Sequence, residues 1–111
     1  MPRPIYRLML SDGFTFGFPP RDWALEAYAR LRDEIAPGTP WMIAGLAVDG
    51  MPVAASAIER GYHLRVGLED APLGTDRSNP ELVAAAARLI REAGCEPATA
   101  AEVRAALAAG A

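Results

Sequence analysis

The sequence predicts an α/β fold made of three consecutive βα units with parallel strands. Two observations lead to this fold class. Short apolar runs alternate with longer segments in which apolar residues recur every three or four positions, in the order β-α-β-α-β-α. The chain has 111 residues, which suits one domain and is too short for two. No low-complexity linker divides it, so residues 1–111 are interpreted as one segment with a short terminal helix.

Composition excludes several classes of protein. The chain carries 11 Arg, no Lys and 14 acidic residues, for a formal charge of −3. This dispersed, mildly acidic charge argues against nucleic-acid binding and against a polybasic membrane surface. No apolar run reaches the length of a membrane span, and Met1–Pro4 lacks the apolar core of a signal peptide, so a cytoplasmic protein is expected. The single Cys95 excludes an internal disulfide and a multi-cysteine metal site.

The first two units follow from turn residues and helical spacing. A strand over residues 5–10 ends at Ser11-Asp12-Gly13, and residues 41–48 form a second strand whose continuous apolarity is typical of burial on both faces. Between them, Asp22 is predicted to N-cap a helix that reaches about Ile35, and a short helix follows over residues 52–60. The expected buried face of the first helix contains Ala24, Ala27, Tyr28, Leu31 and Ile35.

The third unit has the clearest helix signals. A strand is predicted over residues 63–69, and Asn79 then precedes Pro80 as an N-cap. Thr99 and Glu102 match a capping box at the start of the last helix. The expected apolar stripe of the main helix consists of Leu82, Ala86, Leu89, Ile90 and Ala93.

The predicted third strand has one charged face. Leu64, Val66 and Leu68 alternate with His63, Arg65, Gly67 and Glu69. A strand between two helix layers is normally apolar on both faces, so the polar face predicts a barrel lumen or a cleft. Along an extended strand, Arg65 and Glu69 lie roughly 13 Å apart, which does not ensure a direct bond. A structural ion pair and a functional site explain these charges about equally well.

Other candidate residues have weaker signals. His63 is the only histidine, and its place before the end of the strand predicts a structural role deep in a barrel or at its bottom. Cys95 has no second histidine with which to form a nucleophile pair. The aromatic, glycine-bearing segment of residues 11–18 follows the first strand, and Asp49-Gly50 follows the second. The aromatic segment is equally compatible with a substrate pocket and with a hydrophobic cap over the rim.

One run of residues resembles a known family. Residues 61–70, read as Gly-Tyr-His-Leu-Arg-Val-Gly-Leu-Glu-Asp, resemble the last barrel strand of the β-keto acid cleavage enzymes, whose named type is 3-keto-5-aminohexanoate cleavage enzyme. The similarity covers essentially the whole chain. It continues in residues 41–46, 57–61, 78–83 and 97–104, although these parts are less specific.

The resemblance implies a fold and a reaction. The family fold is a (βα)8 TIM barrel, of which this chain resembles the last three-eighths. Its members bind a divalent metal, usually zinc, through two early histidines and a glutamate that corresponds to Glu69. They condense a β-keto acid with acetyl-CoA to give acetoacetate and a new acyl-CoA. The resemblance implies catalytic roles for Arg65 and Asp70 in substrate activation and proton abstraction.

The sequence departs from the family pattern in two respects. Ala71-Pro72-Leu73-Gly74 stand where the family commonly has asparagine and then an aromatic residue. The two-histidine motif is absent, so this chain cannot complete a zinc site by itself. The alternative interpretation is therefore a catalytically inert barrel fragment, or one half of a split barrel that needs a complementing chain or oligomer. An unrelated open α/β binding module would leave Arg65 and Glu69 exposed and unpartnered.

Overall fold

The computed structural model describes residues 5–12 and 17–109 of the chain. Strands and helices alternate as predicted, and a terminal helix follows. In chain order the elements are β1 (Tyr6–Leu10), α1 (Asp22–Ile35), β2 (Trp41–Gly45), α2 (Met51–Glu59), β3 (His63–Leu64), α3 (Asn79–Glu92) and α4 (Ala100–Ala109).

The three strands form one parallel sheet in the order β1-β2-β3. Tyr6 pairs with Trp41, Leu10 pairs with Gly45, and His63 pairs with Met42. All three strands therefore end at the same edge of the sheet, which we call the carboxyl edge. The predicted α/β class and parallel βα units are confirmed, and the arrangement is consistent with part of a TIM barrel.

The core lies between the sheet and helices α1 and α2. Its largest fully buried side chains are Leu10, Leu25 and Trp41. Tyr28 packs at the edge of this cluster, and its Oη donates to the Met9 carbonyl at 2.6 Å. The remaining buried members of the cluster are Ala24, Ala29, Ile43, Val53 and Ala57.

The buried face of α1 differs from the predicted one. Leu25 and Ala29 are buried, whereas Leu31 and Ile35 are 46% and 64% exposed. The two exposed side chains line a shallow groove beside Tyr6 and Leu8 of the edge strand β1. A three-stranded sheet is too narrow to cover the full apolar face of this helix, so its C-terminal part extends past the sheet.

The predicted N-caps of two helices are wrong by one position. Arg21, with an extended backbone, precedes α1, so Asp22 lies in the first turn instead of capping it. Ser78 caps α3 and accepts a hydrogen bond from the Glu81 amide at 3.3 Å. Asn79 is thereby free to accept a hydrogen bond from the Leu68 amide at 2.8 Å. At the start of α4 the prediction holds, since Thr99 Oγ1 accepts from the Glu102 amide at 3.1 Å.

Both later strands are shorter than predicted. β2 ends at Gly45 instead of residue 48, because Ala47 adopts a left-handed backbone with φ 56°. β3 contains only His63–Leu64, and its ladder ends with the Arg65 amide donating to the Ile43 carbonyl at 3.0 Å. β2 continues to Gly45, but β3 does not pair with it beyond that point. The chain instead turns at Gly67, whose carbonyl accepts from the amides of residues 70 and 71.

This turn overturns the predicted alternation of faces. Leu64 packs against the core as expected, but Leu68 is 48% exposed and does not bury against the helices. Arg65 and Glu69 are no longer separated along a strand, because the chain between them is coiled. Within residues 5–12 and 17–109, no helix combines the length and apolarity needed to cross a membrane.

Candidate active site at the carboxyl edge of the sheet

An open cleft of about 120 Å³ lies at the carboxyl edge. Its apolar wall includes the ends of β1 and β2 together with side chains of α2 and α3. The loop after β3 closes the other side. The polar and charged residues that line the cleft are Asp49, Arg65, Asp70, Thr75 and Arg77.

Arg65 is the centre of a charged cluster. Its Nε donates to Asp70 Oδ2 at 3.0 Å, and its Nη2 donates to Glu69 Oε2 at 3.3 Å. The backbone amide of Arg65 is bound to β2, so the guanidinium extends from the last ordered position of the sheet. One guanidinium thus holds two carboxylates. An unrelated binding module would have left Arg65 and Glu69 unpartnered, which is not observed. The long separation expected along an extended strand is not observed either.

The two carboxylates have different environments. The Asp70 side chain is 10% exposed and lines the cleft, whereas the Glu69 side chain is 86% exposed and lies outside it. A buried carboxylate is expensive without a charged partner, and Arg65 supplies that partner to Asp70. Glu69 is held only by a solvent-exposed ion pair, so it is free to rotate toward another ligand.

Gly45 allows the loop of Asp70 to approach the end of β2. A Cβ at position 45 would lie 2.7 Å from the Val48 carbonyl oxygen and 2.9 Å from the Asp70 carbonyl oxygen. Both neighbours are backbone atoms, so neither can move aside by a side-chain rotation. Because glycine has no side chain, the loop that carries the catalytic candidate Asp70 can pack this closely on the end of β2.

The described residues do not form a metal site by themselves. They contain no group of three or more histidine, cysteine or acidic side chains placed to hold an ion. A catalytic zinc normally takes three protein ligands, and Glu69 is one carboxylate. The assignment of Glu69 as a metal ligand remains a prediction that requires further ligands from outside the described residues.

The other residues noted in the sequence lie away from the cluster. His63 is exposed at the amino end of β3, which agrees with a place at the bottom of a barrel and not with one deep inside it. Cys95 is exposed beyond α3. Residues 13–16 of the aromatic segment lie outside the described residues, but Phe18 packs on Trp23 and Tyr28 at centroid distances of 5.4 and 5.0 Å.

Sequence reasoning missed two cleft residues, Thr75 and Arg77. The chain reverses over Pro72-Leu73-Gly74-Thr75, where the Thr75 amide donates to the Pro72 carbonyl and Gly74 has φ 79°. A proline followed by glycine two positions later is a recognisable turn pattern. A turn predicted from this pattern would have placed the residues that follow it near the carboxyl edge of the sheet.

Parallel βα units with charged side chains beyond the strand ends define a segment of an α/β barrel with its candidate active site on the carboxyl edge. The model of the beta-keto acid cleavage enzyme family matches residues 1–108. The chain belongs to this family, which confirms the resemblance seen in the Arg65–Asp70 run.

Comparison with a curated relative shows how much of a whole enzyme this chain matches. The 3-keto-5-aminohexanoate cleavage enzyme of Fusobacterium nucleatum is 39% identical over 79 residues. The aligned region covers 67% of this chain and 29% of that enzyme. The chain thus aligns with less than a third of the length of this relative.

Proposed function

We propose that this chain provides the final-strand part of the active site of a β-keto acid cleavage enzyme. The reaction joins a β-keto acid to acetyl-CoA and yields acetoacetate and the acyl-CoA of the remaining chain. Acyl groups are exchanged between the two partners, so atoms and charge balance without an oxidant or reductant. The observation that supports this proposal most directly is the Arg65–Asp70 pair facing the cleft at 3.0 Å.

Asp70 is the proposed general base. A carboxylate in the cleft can take a proton from the carbon between the ketone and the carboxylate of the substrate, which creates the nucleophile. Its low exposure favours this role, because a base shielded from water keeps one orientation toward the bound substrate. Arg65 fixes the carboxylate through Nε and leaves the second oxygen, Oδ1, without an ion pair among the described residues.

Glu69 is the proposed contribution of this chain to a divalent metal, by family resemblance zinc. The metal would act as a Lewis acid on the keto oxygen. Its remaining ligands would come from the parts of a barrel that the described residues do not include. The carboxylate of Glu69 is exposed and lies outside the cleft lining, which is compatible with a ligand shared with another part of the barrel.

An inert fragment, or one half of a split barrel, is the second candidate. It is favoured by the two edges of the sheet, which no further strand covers among the described residues, and by the exposed Leu31 and Ile35 beside β1. In that case the chain alone would be inactive, and a complementing chain would supply the missing ligands.

A chimera separates a catalytic segment from an inert one. This chain would replace the aligned segment of the Fusobacterium nucleatum enzyme, and acetoacetate formation would be followed with acetyl-CoA and a panel of β-keto acids. We expect turnover, and we expect Asp70→Asn to lower kcat by about 10²- to 10⁴-fold, because an amide cannot accept the proton. Asp76→Asn is the matched control, since Asp76 is an exposed carboxylate of the same loop. A folded chimera whose activity is unchanged by Asp70→Asn would contradict the proposal.

A further inference from the structure

Arg77 is a cationic side chain of the cleft that the proposed chemistry does not use. It is half-buried and lines the cleft together with Arg65 and Asp70. Its backbone position is set locally, because its amide donates to Thr75 Oγ1 at 3.3 Å and the next residue, Ser78, is the N-cap of α3. The loop therefore holds Arg77 between a hydrogen-bonded turn and a helix start.

The charges of the cleft leave Arg77 without a counterion. Arg65 is shared by two carboxylates, and Asp49 Oδ1 accepts from the Met51 amide at 3.0 Å. Across residues 5–12 and 17–109, no ion pair or side-chain hydrogen bond of Arg77 is present. A half-buried guanidinium with no ion pair loses hydration that an anionic ligand would replace.

We infer that Arg77 binds an oxyanion of a substrate at this cleft, either the carboxylate of the β-keto acid or a phosphate of coenzyme A. The identity of the ligand rests on the proposed function. The planar fork of a guanidinium matches both carboxylate and phosphate oxygens with two parallel hydrogen bonds. The two arginines of the cleft thus have separate roles: Arg65 orients the carboxylate of Asp70, and Arg77 anchors the ligand.

Binding to the chain itself tests this inference without requiring turnover. Dissociation constants would be measured by calorimetry for acetoacetate and for its uncharged analogue 4-hydroxybutan-2-one. A second arm compares coenzyme A with pantetheine, which lacks the phosphates. The variants are Arg77→Gln and, as a matched control of equal charge change, Arg104→Gln on the exposed surface of α4. Arg77→Lys tests whether a positive charge alone is sufficient for binding. It also replaces Arg77→Gln in the comparison if circular dichroism shows that Arg77→Gln does not fold.

We expect Arg77→Gln to weaken one anionic ligand by about tenfold or more and to leave its uncharged counterpart unchanged. If acetoacetate binding is lost, the group that contacts Arg77 is the substrate carboxylate. If coenzyme A binding is lost, that group is a phosphate. Arg77→Lys should weaken the same ligand less than Arg77→Gln does. The inference is overturned if Arg77→Gln binds both anions as the unaltered chain does, if Arg104→Gln has the same effect, or if charged and uncharged ligands bind the unaltered chain equally. Failure of the chimera to turn over would leave these binding results unaffected, so the two proposals can fail separately.

Discussion

Arg65 shows what the sequence predicts about a single residue and what it leaves out. Its place on a charged strand face predicted a cleft, and the residue does line one. Its contacts were not predictable from the alternation of faces, because β3 ends at Leu64 and the chain then turns. The turn brings Glu69 and Asp70 to the same guanidinium. Where a strand ends depends on its pairing and on the tertiary contacts of the chain that follows, which a local pattern does not contain.

The close approach at Gly45 makes a prediction about stability. Gly45→Ala should destabilise the chain by about 1–3 kcal/mol, since the added Cβ meets two backbone oxygens and the loop of Asp70 must move. The free energy of unfolding would be measured in urea. Gly50→Ala is the control, because no atom lies within 4 Å of a Cβ at that position and the backbone there is right-handed, with φ −82°. Equal stability of the two variants would show that the loop does not pack on β2 as described.

Among the elements, the helices were more predictable than the strands. The spacing of apolar residues and the turn residues predicted the ends of α1, α2 and α3 to within one residue, wherever an end was predicted. The N-cap of α3 was misplaced, because Ser78 and Asn79 are both good caps and the choice depends on the tertiary bond from Asn79 to Leu68. The overestimated length of β3 has the same origin, since sheet pairing is not local.

Helices α1 and α2 are linked by a surface ion pair with a measurable pH dependence. Glu26 accepts from Arg60 Nη1 at 2.8 Å and from Arg30 Nε at 3.1 Å. The hydrogen bond from Arg60, with a smaller contribution from Arg30, lowers the pKa of Glu26 below its usual value of 4.5. The stabilisation is therefore present above about pH 4.5 and is lost as the pH falls through the lowered pKa of the folded state.

Glu26→Gln should slightly lower Tm at pH 7 and reduce the further loss of Tm on acidification below pH 4.5, because the glutamine cannot be protonated. The effect is small, since exposed ion pairs are screened by solvent. Thermal melts at several pH values would measure it. Glu34→Gln is the control, as Glu34 is exposed on the same helix and no ion pair is found for it among the described residues. Identical pH profiles for the two variants would contradict a specific role for Glu26.

Across residues 5–12 and 17–109 the sheet has three strands, and apart from the isolated Leu10–Phe18 bridge no further strand pairs with either edge. β1 and β3 are edge strands, and a groove lies exposed beside β1, lined by Tyr6, Leu8, Leu31, Arg32 and Ile35. Unpaired strand edges and exposed apolar side chains favour association with another chain. The exposure of the C-terminal part of α1 follows from this open edge beside β1.

The isolated chain is therefore expected to be oligomeric or prone to aggregation. Light scattering coupled to size-exclusion chromatography would give its mass in solution. Ile35→Lys should reduce association because it replaces an exposed apolar side chain with a second cation beside Arg32. Val83→Lys, on the similarly exposed surface of α3, should not. A monodisperse monomer with a cooperative thermal transition would contradict the expectation and indicate a self-sufficient fold.

The central claim is that Glu69 and Asp70, neighbours in sequence and both bound to Arg65, have different tasks in a β-keto acid cleavage site. The most direct measurement determines metal content and acetoacetate formation on the same samples of the chimera carrying Glu69→Gln or Asp70→Asn. We predict that Glu69→Gln loses zinc and activity together, because the amide keeps the shape and loses the anionic donor. Asp70→Asn should retain zinc and lose turnover. Retention of zinc by Glu69→Gln, or full activity of Asp70→Asn, would contradict this division of roles.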